Sequence, residues 1–115
     1  VLIVLSHMGL ERDQLLARTV PGINVIVGGY TRKLMNEPER EGNTLIVQQG
    51  YRGEWIGKLT VTIDEQGVPT DYTEEILTLN DSYSDNKEMT ELVDRYKEMY
   101  PTPTPMPTRT PTPSK

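Results

Sequence analysis

The sequence has 115 residues, enough for one small domain, and a net charge of −5. Two of its 12 basic residues, Arg109 and Lys115, follow Tyr100, so residues 1–100 hold 10 basic and 17 acidic side chains, a net −7; such a body argues against a non-specific nucleic-acid surface, which needs clustered Lys and Arg on one face. There is no cysteine, which rules out a disulfide framework, a thiolate zinc site and a cysteine nucleophile, and no apolar run approaches the roughly 20 residues of a membrane span.

Residues 1–6 are apolar almost throughout, the pattern of a strand buried on both faces of a sheet. Ser6-His7-Met8-Gly9 follows as a loop. Residues 11–19 place acids in the first turn and a base near the end, favourable to a helix dipole. Leu15, Leu16 and Val20 are expected to face a sheet, and Pro21-Gly22 stops the helix. Residues 23–27 predict a second buried strand, ending in the loop Gly28-Gly29-Tyr30-Thr31-Arg32. A strand, a crossover helix and a second strand imply parallel pairing. Parallel pairing brings the two loops to the sheet edge where ligands bind in such units.

Residues 35–43 are polar, with Pro38 and Gly42, and read as a surface loop. Residues 44–48 predict a third strand, and residues 50–53 a turn. From Trp55 to Asp64 apolar and polar residues alternate, with one irregularity at Gly57: a half-exposed strand. Glu65-Gln66-Gly67 reads as a hairpin turn and residues 68–79 as the return strand. Residues 85–99 form the clearest helix, with Asp85 as its expected cap. Met89, Leu92, Val93 and Tyr96 make one apolar stripe, read as core packing. Residues 101–115 alternate Pro and Thr, the composition of an extended spacer between modules of exported proteins. The expected organisation is therefore a domain over 1–100 and a Pro/Thr-rich linker or tail over 101–115.

Taken in order, Ser6-His7-Met8-Gly9, Asp13, Val20-Pro21-Gly22-Ile23-Asn24 and Gly28-Gly29-Tyr30-Thr31-Arg32 resemble the calcineurin-like metallophosphoesterases of the 5′-nucleotidase type. The resemblance runs on through Val47-Gln48-Gln49-Gly50 and Trp55-Ile56-Gly57-Lys58-Leu59 to the helix ending Leu92-Val93-Asp94-Arg95-Tyr96. It implies an α/β fold: a partial metallophosphoesterase sandwich, with the parallel strand–helix–strand unit followed by antiparallel strands and a closing helix. It also implies the carboxyl-terminal half of a catalytic domain that uses two divalent metal ions on nucleotides or related phosphate esters. His7 then takes the place of a metal-ligating histidine. Two departures stand out. Tyr30 and Arg32 occupy positions where the family's Gly-Gly-His-x-His motif carries ligands. The family's upstream Asp-x-His, Gly-Asp and Gly-Asn-His motifs have no counterpart. Since the sequence opens within an apolar run and without Met, a piece of a longer chain is expected.

The residues themselves limit the chemistry. His7 is the only histidine, and a catalytic metal needs at least three protein ligands. Ser6, Asn24 and Asn36 are the few oxygen donors expected near the loops. Arginine offers no lone pair, but the Arg32 guanidinium can take a phosphate through a bidentate fork. Gly29 permits close backbone approach to a ligand. Arg32, Tyr30 and Gly29 are thus the candidate substrate-binding residues, with the alternative that the side chains are ordinary loop residues. Tyr51, Arg52 and Trp55 can stack on a nucleobase or simply fill a turn. An acidic body is a poor phosphate surface unless metal ions supply positive charge.

Three readings follow. The first is a fragment of a phosphoesterase taking a small-molecule phosphate ester or nucleotide, in an extracellular, periplasmic or cell-surface setting, with further modules beyond the Pro/Thr linker. The second is a catalytically inactive binding or scaffold module of an exported multi-module protein. The third is a piece without independent function, whose apolar sheet edge promotes aggregation.

Overall fold

The computed structural model describes residues 1–101, so all of the Pro/Thr tract beyond Pro101 lies outside the described residues. The chain divides into two units, 1–82 and 83–115. In the first, the strands are β1 (Ile3–Ser6), β2 (Val25–Gly28), β3 (Glu39–Glu41), β4 (Thr44–Val47), β5 (Trp55–Ile63) and β6 (Pro69–Thr78), with helix α1 (Leu10–Thr19) between β1 and β2. A four-stranded sheet has the order β1-β2-β4-β3. β1, β2 and β4 run parallel, with Ser6 opposite Gly28 and Val27 opposite Val47. β5 and β6 form a separate antiparallel hairpin. This is the α/β arrangement expected of the family fragment.

The core is small and sits between α1 and the central strands. Ile23, Ile26 and Ile46 are its buried centre, with Val4, Leu10, Leu16 and Ala17 packed against it. Burying each isoleucine is worth about 1.5–3 kcal/mol. The helix therefore faces the sheet with Leu10, Asp13, Leu16 and Ala17, and not with Leu15 or Val20, which are exposed. Asp13 is fully buried, and it rotates the inward stripe away from the one that hydropathy alone selects.

β1 is not buried on both faces. It is the outer strand, with a neighbour on one side only, and Leu5 remains 82% exposed. The segment 35–43, expected as a loop, contains β3. Its Glu-Arg-Glu sequence has no apolar alternation. Backbone pairing to β4 and side-chain ties hold it: Arg40 Nη2 donates to Pro69 O at 2.8 Å, Gln14 donates to Glu39, and Arg18 pairs with Glu41 at 3.6 Å.

The hairpin turn forms as expected. Asp64 Oδ1 accepts from the N–H groups of Gln66 and Val68 at 3.0 and 2.8 Å, and Gly67 takes the positive φ of 82° that the turn needs. Asn24 precedes β2 and so lies at the opposite end of that strand from the Gly-Gly loop. It is not a donor to that loop. Its Oδ1 accepts from Leu2 N at 2.7 Å and its Nδ2 donates to Gly67 O, fastening the strand starts to the hairpin turn.

The second unit contains α2 (Lys87–Met99). Its cap is Asn86, not Asp85: Asn86 Oδ1 accepts from Met89 N at 3.0 Å. A capping side chain accepts from an N–H two or three residues further on, and Asn86 does so with Met89. Met89, Leu92, Val93 and Tyr96 do form a stripe, but among the described residues of this unit no second element covers it, and all four are exposed.

Candidate functional site

The parallel register places three loops on one sheet edge: 7–9 after β1, 29–33 after β2 and 48–53 after β4. These loops hold Arg32, Lys33 and Arg52 and no carboxylate. The three loops are thus basic in composition within a chain of net −5, with Glu54 directly following the third.

His7 is exposed, and its ring meets Tyr30 edge-on, with centroids 5.4 Å apart and planes at 90°. A Cβ on Gly29 would lie 3.4 Å from His7 Nδ1, so the glycine lets the imidazole lie close against the second loop. Gly9, at φ 99°, opens α1 without a capping side chain. Thr31 serves instead: its Oγ1 accepts from Leu10 N at 2.8 Å. A hydroxyl from the second loop therefore satisfies a first-turn N–H that the helix cannot. Met8, Glu11, Arg12, Tyr30 and Thr31 border a shallow hollow of about 360 Å³ beside this junction, so one carboxylate and one guanidinium flank it.

A polar layer lies beneath the loops. Met8 N donates to Ser6 Oγ at 3.2 Å, and Ser6 Oγ donates to Asp13 Oδ1. Ser6 is therefore committed to Asp13 and is not a free donor. On the other side of Gly28, Gln48 is buried and its Oε1 accepts from Lys33 N at 3.3 Å. Asp13 Oδ2 and Gln48 Nε2 have no hydrogen-bond partner. A Cβ on Gly28 would lie 2.7 Å from each of these two atoms. Asp13 and Gln48 were readable in sequence only as parts of longer motifs. The available signal for their role was Gly28 at a strand end, where a missing side chain marks close approach.

Arg32 is drawn to the third loop. Its backbone is left-handed, at φ 58°, and its guanidinium carbon lies 6.0 Å from the Tyr51 ring centroid. Arg52, at φ 63°, approaches the same ring at 5.3 Å. Trp55 packs on Gly50, where a Cβ would come within 2.6 Å of its ring. The structure thus joins His7, Gly29 and Tyr30 in one group, and Arg32, Tyr51 and Arg52 in another.

Among the described residues no group of three or more His, Asp or Glu side chains comes together as a metal site. The Tyr30 ring stands at right angles to the His7 ring, and Arg32 has no lone pair to offer. The residues described here do not by themselves fit a two-metal centre.

No family model matches the chain. It is 34% identical over 101 residues to the trifunctional nucleotide phosphoesterase protein YfkN of Bacillus subtilis, covering 84% of this chain and 7% of that protein. It is 35% identical over 95 residues to the 5′-nucleotidase of Rattus norvegicus, covering 66% of this chain and 16% of that one. The structure of a 5′-nucleotidase precursor from Thermus thermophilus superposes with a TM-score of 0.73 at 30% identity, over 84% of this chain and 23% of that chain. The chain therefore spans less than a quarter of the length of each of these relatives.

Proposed function

Because the chain belongs to the calcineurin-like metallophosphoesterases of the 5′-nucleotidase type, we propose that it forms one side of the site of a phosphoesterase acting on nucleotides or related phosphate esters. The observation that carries this reading is the edge made by loops 7–9, 29–33 and 48–53, with its cations and no carboxylate. The divalent ions of such enzymes, when bound, activate water and neutralise phosphoryl oxygens. In this reading His7 supplies one ligand only. Arg32 grips a phosphate oxygen pair through its planar fork, Gly29 allows the ester to approach the backbone, and Tyr30 packs beside it. Tyr51, already flanked by two guanidiniums, offers a face for a base.

An exported setting is part of the proposal. It is supported by the Pro/Thr composition of residues 101–115, read as a spacer from the domain over 1–100 to further modules, and by the Thermus relative's being named a precursor. No described helix is long and apolar enough to cross a membrane. The test is hydrolysis of nucleoside monophosphates and of a generic phosphate ester by the protein in its longest natural form, with Mn²⁺, Zn²⁺ or Mg²⁺. Turnover that falls at least tenfold in Arg32→Ala supports the reading. No turnover with any metal overturns it.

One observation favours the alternative, a non-catalytic binding module: Arg32 is engaged with Tyr51 at a position where the family places a metal ligand. Stoichiometric, submicromolar Mn²⁺ or Zn²⁺ binding that is lost in His7→Ala would sink that alternative.

A further inference from the structure

The hairpin's inner face carries one carboxylate. Glu74 on β6 stands opposite Leu59 on β5, and both line an apolar pocket with Ile3, Val27, Val47 and Val61. Gln49, from the loop after β4, reaches into the same pocket. Its side chain lies directly on the backbone of Gly57: a Cβ there would come within 2.4 Å of Gln49 Cδ. The irregularity at Gly57 is therefore room for a glutamine. Gln49 Nε2 donates to Glu74 Oε1 at 2.7 Å. The two remaining oxygens, Gln49 Oε1 and Glu74 Oε2, are shut off from water and have no partner.

Two stranded acceptors beside one good bond form an incomplete ring. An ionised carboxylate only accepts, and the amide oxygen only accepts, so neither can satisfy the other. A carboxylic acid can. One proton on Glu74 lets its O–H donate to Gln49 Oε1 while Gln49 N–H donates to the acid carbonyl, and every polar atom is then paired. We propose that Glu74 keeps its proton in the folded chain and closes this two-bond acid–amide ring with Gln49, a pH-dependent latch between the loop after β4 and the β5–β6 hairpin.

The surroundings agree. Burial pushes the Glu74 carboxyl above its ordinary 4.5; the Gln49 N–H bond pulls it down, and the Glu37 carboxylate pushes it up again. No lysine or arginine lines the pocket. The folded state holds the proton more tightly than the unfolded state. The latch therefore contributes fully below pH 4.5 and is lost as pH rises through the higher folded value. Above that value the proton goes to solvent and the carboxylate is left facing apolar side chains.

The test uses the whole 115-residue chain. The carboxyl ¹³C signal of Glu74, followed from about pH 3 to 8, should titrate above 4.5. Glu74→Gln is a permanently neutral copy that can form the same two bonds with Gln49. It should melt about 5 °C above the native chain at neutral pH, with the difference closing as the solution is acidified. A Glu74 titration at or below 4.5, or a Glu74→Gln chain less stable than native at neutral pH, overturns the latch. The ¹³C measurement needs no variant, so it decides even where a substitution prevents folding.

Discussion

The Tyr30 ring presses edge-on against the His7 imidazole, centroid to centroid 5.4 Å, so the residue at position 30 is a direct neighbour of the only histidine in the chain. In the resembling motif that neighbour is a second imidazole.

Restoring the motif should restore metal affinity. Tyr30→His with Arg32→His places three imidazoles on two adjoining loops. Calorimetry with Zn²⁺ should show binding at least tenfold tighter than native, about 1.4 kcal/mol, and His7→Ala in that background should reverse it. Equal affinity in native and double variant would mean that positions 30 and 32 are not ligand positions here.

Gly28 separates Asp13 from Gln48. A methyl there would sit 2.7 Å from a polar atom of each. Gly28→Ala should cost about 1–3 kcal/mol by overpacking, read from the urea midpoint.

Asn24 joins three segments through one amide. Asn24→Ala leaves Leu2 N and Gly67 O without that partner. A loss of about 1–3 kcal/mol is expected, together with faster hydrogen exchange at Leu2. An unchanged exchange rate at Leu2 would show that the side chain carries no load there.

The α2 cap can be checked by far-ultraviolet circular dichroism. Asn86→Ala should lower helicity, at a cost of about 1 kcal/mol to the helix. Asp85→Ala should change little, because Asn86 is the residue whose side chain accepts the Met89 N–H.

Much of the frame could be read in advance because its signals are local. The apolar runs at 1–6, 23–27 and 44–48, each followed by a polar or glycine-containing loop, predict β1, β2 and β4, and alternation predicts the β5–β6 hairpin. What escaped depends on partners distant in sequence. Asp13 looks like an exposed helix residue until Ser6 is seen to donate to it. β3 has no apolar period because β4's backbone and Pro69 hold it. Asn24 belongs to the start of the predicted strand, the end opposite the Gly-Gly loop, so its place away from that loop was legible in the strand's direction. At the site, His7, Gly29 and Tyr30 are together as the parallel pairing implied. The attraction of Arg32 to Tyr51 could not be read, since it depends on the left-handed backbone at two arginines. Gln49 and Glu74, 25 positions apart, gave only the glycine at 57 as a clue.

The packed centre of the first unit is Ile23, Ile26 and Ile46, and none of residues 29–33 belongs to it. Tyr30 and Arg32 can therefore change identity at little cost to folding. Such a scaffold can lose a chemistry and retain its architecture, and the same separation makes the edge a practical host for loop grafting: new side chains at 30 and 32 can be screened for binding without redesigning the strands that carry them.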